Sequence, residues 1–171
     1  MDAHQLPKPF ADHADAAAFA REFAARAEPL WSGGAPRVPR LELTPELEGA
    51  LRSAHSGGRL IRGLERATEV LQAQQHGLAA VDNRTGVARQ QRVSRALILT
   101  DDGAERFYRQ VDQLLTRHTP RVTALRLRLD QHALGEAFFG EQQVARLLLV
   151  DHREAVSRVL ASVSTTWRVQ R

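Results

Sequence analysis

Short apolar runs alternate with amphipathic helical stretches along most of this chain, and that alternation limits the folds open to it more than any other feature. Ala96 to Leu99 is a continuous apolar run that ends at Thr100-Asp101-Asp102-Gly103, a strand-to-helix junction. From Ala104 to about Arg117, residues Phe107, Val111, Leu114 and Leu115 recur at helical spacing, and Pro120 ends the connection. Leu125, Leu127 and Leu129 then alternate with Arg126 and Arg128 within Val122 to Leu129, which predicts a strand with one wet face near a sheet edge. A short helix over Gln131 to Phe139 runs to Gly140, and Val144 to Val150 is the most hydrophobic strand. Val156, Val159, Leu160, Val163 and Trp167 place a closing helix over Arg153 to Trp167. Elements in this order predict an α/β fold, a three-layer α/β/α sandwich with a mixed sheet of about four strands.

The first 40 residues read differently. Asp15 to Trp31 has the pattern of a helix, with Asp12 or Asp15 to cap it and Phe19, Phe23 and Leu30 at helical spacings. Ser32-Gly33-Gly34-Ala35-Pro36 and Pro39 then break regular structure. Residues 1–40 are therefore expected to form an N-terminal helical extension and linker, and residues 41–171 the α/β/α domain, with an insertion at about 76–95. The aromatic residues Phe19, Phe23 and Trp31 have two uses open to them: packing back on their own domain, or docking a protein partner.

Thr44-Pro45-Glu46 is a helix start, with a capping hydroxyl and a proline at the first helical position. Leu47 and Leu51 face the core until Gly57-Gly58 stop the helix, and Leu60-Ile61 is placed as a strand. Gly63 then opens a helix over Leu64 to Gln75, with Leu64, Ala67 and Leu71 on one stripe and Val70 beside it. A helix opened in this way leaves unpaired backbone N–H groups and a partial positive charge at its first turn, which suits a phosphate-rich partner. Arg59, Arg62 and Arg66 crowd the same place. Beyond it, Leu78 to Val81 and Val87-Ala88 flank Asp82-Asn83-Arg84-Thr85-Gly86, which fits either a hairpin turn or a loop.

Charge placement adds a second basic feature. The chain of 171 residues has a formal net charge of +4, with 24 basic residues of which only Lys8 is a lysine. Residues 1–40 hold five basic and five acidic side chains, so the excess lies beyond them, and Arg84, Arg89, Arg92 and Arg95 form a run without an acid. Arginine is the better ligand for phosphate and for stacking on bases. With no cysteine there is neither a disulfide nor a thiolate metal site, and a reducing, cytoplasmic setting is expected. Neither an apolar run of membrane-spanning length nor a signal-peptide pattern is present. Asp130-Gln131-His132 and Asp151-His152 are isolated pairs at helix starts, where the acid serves as a cap. No phosphate-binding glycine loop or activated serine is present, so a non-catalytic role without cofactor or metal is expected.

From Thr44 to Trp167, about three quarters of the chain, the order of elements resembles the ribosomal L-seven-Ae superfamily of kink-turn RNA binders, including its bacterial YlxQ-type members. The segments that carry the resemblance are Arg62-Gly63-Leu64-Glu65-Arg66-Ala67-Thr68, Leu97-Ile98-Leu99-Thr100-Asp101-Asp102, Leu134-Gly135-Glu136-Ala137 and Leu147-Leu148-Leu149-Val150-Asp151. The family's Asn-Glu pair and following lysine fall on Glu65, Arg66 and Glu69, and all three differ from the family pattern. The resemblance implies a structured-RNA or ribosome partner held by the Gly63-opened helix, with Arg59, Arg62 and Arg66 as contacts, the Phe139 to Gln143 loop alongside, and Arg84, Arg89 and Arg92 as a flanking clamp. A protein-interaction adaptor, docking through Phe19, Phe23 and Trp31 on the same fold, is the alternative.

Overall fold

The computed structural model describes residues 1–12, 14–86 and 91–169. After a 3-10 turn at Ala3–Gln5, the elements are α1 (Lys8–Ala11), α2 (Ala16–Arg26), β1 (Ala27–Pro29), β2 (Arg37–Leu41), α3 (Pro45–Ser56), β3 (Leu60–Arg62) and α4 (Leu64–Thr85). Then come β4 (Arg95–Leu99), α5 (Glu105–His118), β5 (Val122–Leu127), α6 (Gln131–Phe139), β6 (Leu147–Val150) and α7 (Arg153–Val169). The fold is α/β, with helices on both faces of a mixed six-stranded sheet in the order β1-β2-β5-β4-β6-β3. Strands β2, β5 and β4 run parallel to one another, whereas β6 is antiparallel to both β4 and β3.

Each strand sorts its side chains by parity, as the pleat requires. Ala96 and Ile98 of β4 join Leu125 and Leu127 of β5 under α2, α3, α6 and α7. Leu97 and Leu99 turn to the opposite face, where Ala67 and Leu71 of α4 and Val111, Leu114 and Leu115 of α5 cover them. The helix starts follow their capping residues. Thr44 Oγ1 accepts from the Leu47 N–H ahead of Pro45, and Asp130 accepts from His132 and Ala133 at the head of α6. Among the described residues no helix is long and apolar enough to cross a membrane.

Six strands replace the expected four because the segment read as a linker is strand. Ala27–Pro29 pairs antiparallel with Arg37–Leu41, and Arg40 and Leu41 then pair with Arg126 and Leu127 of β5. The boundary expected at residue 40 thus falls inside β2. Pro39 is tolerated because its partner is the short outer strand β1, where a missing N–H costs least. The N-terminal helix ends at Arg26 rather than Trp31, and its aromatic side chains turn inward. Phe19, 2 % exposed, stacks on Trp167 of α7 at 5.3 Å between centroids, and Phe23 meets the same ring edge-on. Trp31 lies half-buried against α5, its Nε1 donating to Asp112 and its ring covered by the Arg109 guanidinium at 4.3 Å. All three aromatic residues are used within the chain.

Three further expectations change. The second helix continues from Gln75 to Thr85, so Leu78 to Val81 is helix and not half of a hairpin; the other half, Val87-Ala88, lies outside the described residues. Gly86 ends α4 in the left-handed conformation at φ 62°. Strand β5 is interior, flanked by β2 and β4, and its arginine does not face open water. Arg126 instead pairs with Asp101 at 2.6 Å and lies over the Tyr108 ring at 4.6 Å. The Arg40 guanidinium joins the same carboxylate from β2, which raises its already high pKa. Finally, the Asp151 carboxylate does not cap α7; it accepts from Gln74 at 2.7 Å and pairs with Arg95 at 2.5 Å.

Trp167 ties the N-terminal helix to the last one, so Trp167→Ala should cost about 3–5 kcal/mol through lost packing on both. Denaturant unfolding measures this directly, and a loss below about 1 kcal/mol would show that the α2 to α7 contact is dispensable.

Candidate nucleic-acid interface

The edge of the sheet at β3 is where the sequence placed its binding residues. Helix α3 ends at Gly57 and Gly58, the second at φ 66°, and the Arg59 N–H reaches back to the Ala54 carbonyl at 2.8 Å. Three residues of strand follow. Gly63 then takes φ 95° and ψ 149° as the N-cap of α4 without any side-chain cap, its N–H donating to the Leu147 carbonyl at 2.9 Å. A side chain at Gly63 would meet no atom within 4 Å, so the glycine is required by backbone conformation and not by crowding. Among the described residues no side chain caps the first turn of α4, leaving donors for an outside group.

Arg62 is held beside this turn by the loop after α6. Its Nη1 donates to Gln143 Oε1 at 3.0 Å, and its guanidinium lies 4.9 Å from the centre of the Phe139 ring. His55 packs edge-on to the same ring at 5.1 Å. Gly140 at φ 99° and Gln142 at φ 61° shape the loop, and Gly135 lets its backbone lie directly on α6: a Cβ there would collide with the Gln143 and Val144 backbone. Arg59 and Arg62 are both exposed, and β3 pairs on one side only. The Phe139 to Gln143 loop thus lies directly beside Arg62.

The acids sit on another flank. Glu65 and Glu69 line a groove of about 540 Å³ between α4 and α5, with Gln110, Gln113 and Arg117 opposite. Arg66 pairs with Glu69 at 3.0 Å on the exposed surface, so its charge is partly offset before any ligand arrives. Arg59 and Arg62 remain the principal cations of the edge.

The flanking clamp is not assembled there. Arg84 is exposed near the other end of α4, its Nε on the Ala80 carbonyl, about 30 Å along the axis from Gly63 at 1.5 Å per residue. Arg92 is half-buried and donates to the Leu6 carbonyl at 3.2 Å. Arg89 lies outside the described residues. A cleft lies instead at the opposite end of the sheet, where Arg95 begins β4 and Arg121 immediately precedes the parallel strand β5. Both donate to Gln74 Oε1, at 3.2 and 3.1 Å. His118, at the end of α5, is 2 % exposed, and neither ring nitrogen has a hydrogen-bond partner among the described residues. Arg95 belongs to a charge run legible in the sequence, whereas Gln74, His118 and Arg121 do not stand out there, because they meet only through the packing of α4 and α5 against the parallel strands β4 and β5.

Burial, and then the Arg121 and Arg117 charges, push the His118 pKa below its ordinary 6.5. The unfolded chain therefore binds a proton there that the folded chain refuses, and stability should fall as pH drops below about 6.5, the ordinary histidine value. His118→Asn should flatten that part of the melting-temperature profile; an unchanged slope would place the dependence on other groups. Gly63→Ala should cost about 1–3 kcal/mol by backbone strain alone, read from denaturant unfolding.

No known family model matches the chain, and no curated protein matches it. Among the solved structures that match is that of a protein with unknown function from Bacillus halodurans, 15 % identical, covering 71 % of this chain and 99 % of that one at a TM-score of 0.47.

Proposed function

We propose that this chain is a non-catalytic RNA-binding protein that holds a structured RNA, alone or within a ribosome, along the edge formed by β3, the first turn of α4 and the loop from Phe139 to Gln143. One observation carries the reading: an exposed arginine, Arg62, is preset against an aromatic ring and an amide, directly beside an uncapped helix N-terminus. Backbone N–H groups and guanidinium groups are the common ligands of phosphate oxygens, and a half-exposed phenylalanine offers a face for an unstacked base. The resemblance to kink-turn binders points to the same edge. Glu65 and Glu69, where that family carries other residues, face the groove shared with α5, and the phosphate contacts fall to Arg59 and Arg62.

The adaptor reading has less to stand on. Phe19 and Phe23, offered as its docking face, are enclosed against Trp167, and Trp31 is held by Asp112 and Arg109.

Crosslinking in cells followed by sequencing identifies the bound RNA, and a labelled copy of it then serves for titration. Replacing Arg59 and Arg62 together by alanine should weaken binding at least about tenfold and reduce the salt slope by about two. Arg84→Ala, near the far end of α4, is the control and should leave affinity unchanged. Equal affinity in the double variant, or purification with protein but no nucleic acid, would remove RNA binding at this edge.

A further inference from the structure

A second group of arginines, apart from the proposed RNA edge, lines a separate cleft of about 1230 Å³. It opens between the second half of α4, the N-terminal ends of β4 and β5, and the segment around α1. Six of its lining side chains are cationic (Lys8, Arg92, Arg95, Arg117, Arg121 and Arg153) against three carboxylates. Asp151, behind Arg95, offsets one more of the positive charges.

We infer that this cleft is a binding site for a phosphorylated small molecule of about nucleotide size. Three observations converge on it. Arg95 and Arg121 are brought together on one amide oxygen, an arrangement that leaves two like charges adjacent with a single carboxylate to offset them. His118 and the Arg121 Nε are N–H bearing groups buried in the wall with no partner among the described residues, and an unmade hydrogen bond of that kind is costly unless something satisfies it. The volume also exceeds what a single inorganic ion needs, and Pro9, Leu78, Val81 and Pro120 provide an apolar part of the lining for the remainder of such a ligand. A multiply charged phosphate would supply the missing acceptors, with Arg117 at the exposed rim to steer it in.

The site is independent of the RNA edge and can fail without it. The test is a calorimetric titration of the full chain with inorganic pyrophosphate and with ADP at constant ionic strength, alongside the shift in melting temperature. Saturable binding, at least about tenfold weaker in Arg121→Gln and in the exposed-rim variant Arg117→Gln, is the expected result. Because Arg117 is exposed, its variant keeps the test valid should Arg121→Gln fail to fold. Arg62→Ala should bind pyrophosphate as the parent does. No binding of either probe overturns the inference, and so does binding that Arg117→Gln leaves unaltered or that sodium sulfate reproduces at equal ionic strength. Weakened RNA binding in Arg117→Gln without any pyrophosphate binding overturns it as well, and assigns the phosphate of this cleft to RNA.

Discussion

Four consecutive side chains of β4, from Ala96 to Leu99, are completely removed from water, and most of the architecture follows from that. A strand buried on both faces needs an apolar cover above and below it, and also a hydrogen-bonded neighbour on each edge. Strands β5 and β6 meet the second need, and both are themselves almost wholly buried. The cover on one face comes from α4 and α5. On the other, α3, α6 and α7 leave space that α2 closes with Phe19 and Phe23. The N-terminal 41 residues therefore complete a layer and an edge of the sheet rather than hang from it, and the same burial that stabilises the sheet removes their aromatic face from outside use.

Charge at the C-terminal end of the same sheet fixes how that N-terminal piece attaches. Asp101 leaves β4 and meets Arg126 from β5 and Arg40 from β2, so one carboxylate joins three adjacent strands. The Tyr108 hydroxyl donates to the Thr100 carbonyl at 2.8 Å and accepts from the Gly103 N–H at 3.0 Å, which sets the turn that aims Asp101. Removing one member of such a part-buried group strands the others, while an exposed pair such as Arg66 and Glu69 could be lost with little effect.

These two features mark what could and could not be read in advance. Elements whose causes are local were legible: the Thr44-Pro45 start, the Asp130 cap, the glycine stop at Gly57-Gly58, the opening at Gly63, and the apolar spacings of α5 and α7. Strands β1 and β2 were not, because Gly33, Gly34, Pro36 and Pro39 carry loop chemistry and pairing with β5 lies more than eighty residues away. The alternation of Arg126 with leucines is legible but does not place the strand, since an arginine bound to a distant aspartate has the same sequence pattern as one facing water. The far end of α4 is not legible because its stretch after Gln75 buries little and shows no strong apolar stripe. At the candidate site, Arg62 beside Gly63 was visible, while its partners Phe139 and Gln143 became legible only through a resemblance.

The full length of α4 decides how the two basic regions relate. At 1.5 Å per residue, its 22 residues span about 33 Å, with the uncapped N-terminus at one end and Arg84 near the other. No single phosphate group meets both ends, so Arg84 does not join Arg62 in one anion-binding cluster. The helix dipole adds a reason of its own: cations stabilise a helix C-terminus, and anions its N-terminus. Arg84 in the last turn therefore has a structural use without any ligand, and Glu65 in the first turn likewise. Arg95, at the start of β4, and Arg121, just ahead of β5, are not at a helix end; they are drawn together on Gln74 partway along α4, with Asp151 the one carboxylate paired with Arg95. The charge run seen in the sequence thus divides physically into a helix-end residue and a cleft, and it is the cleft whose positive charge the fold itself leaves unbalanced.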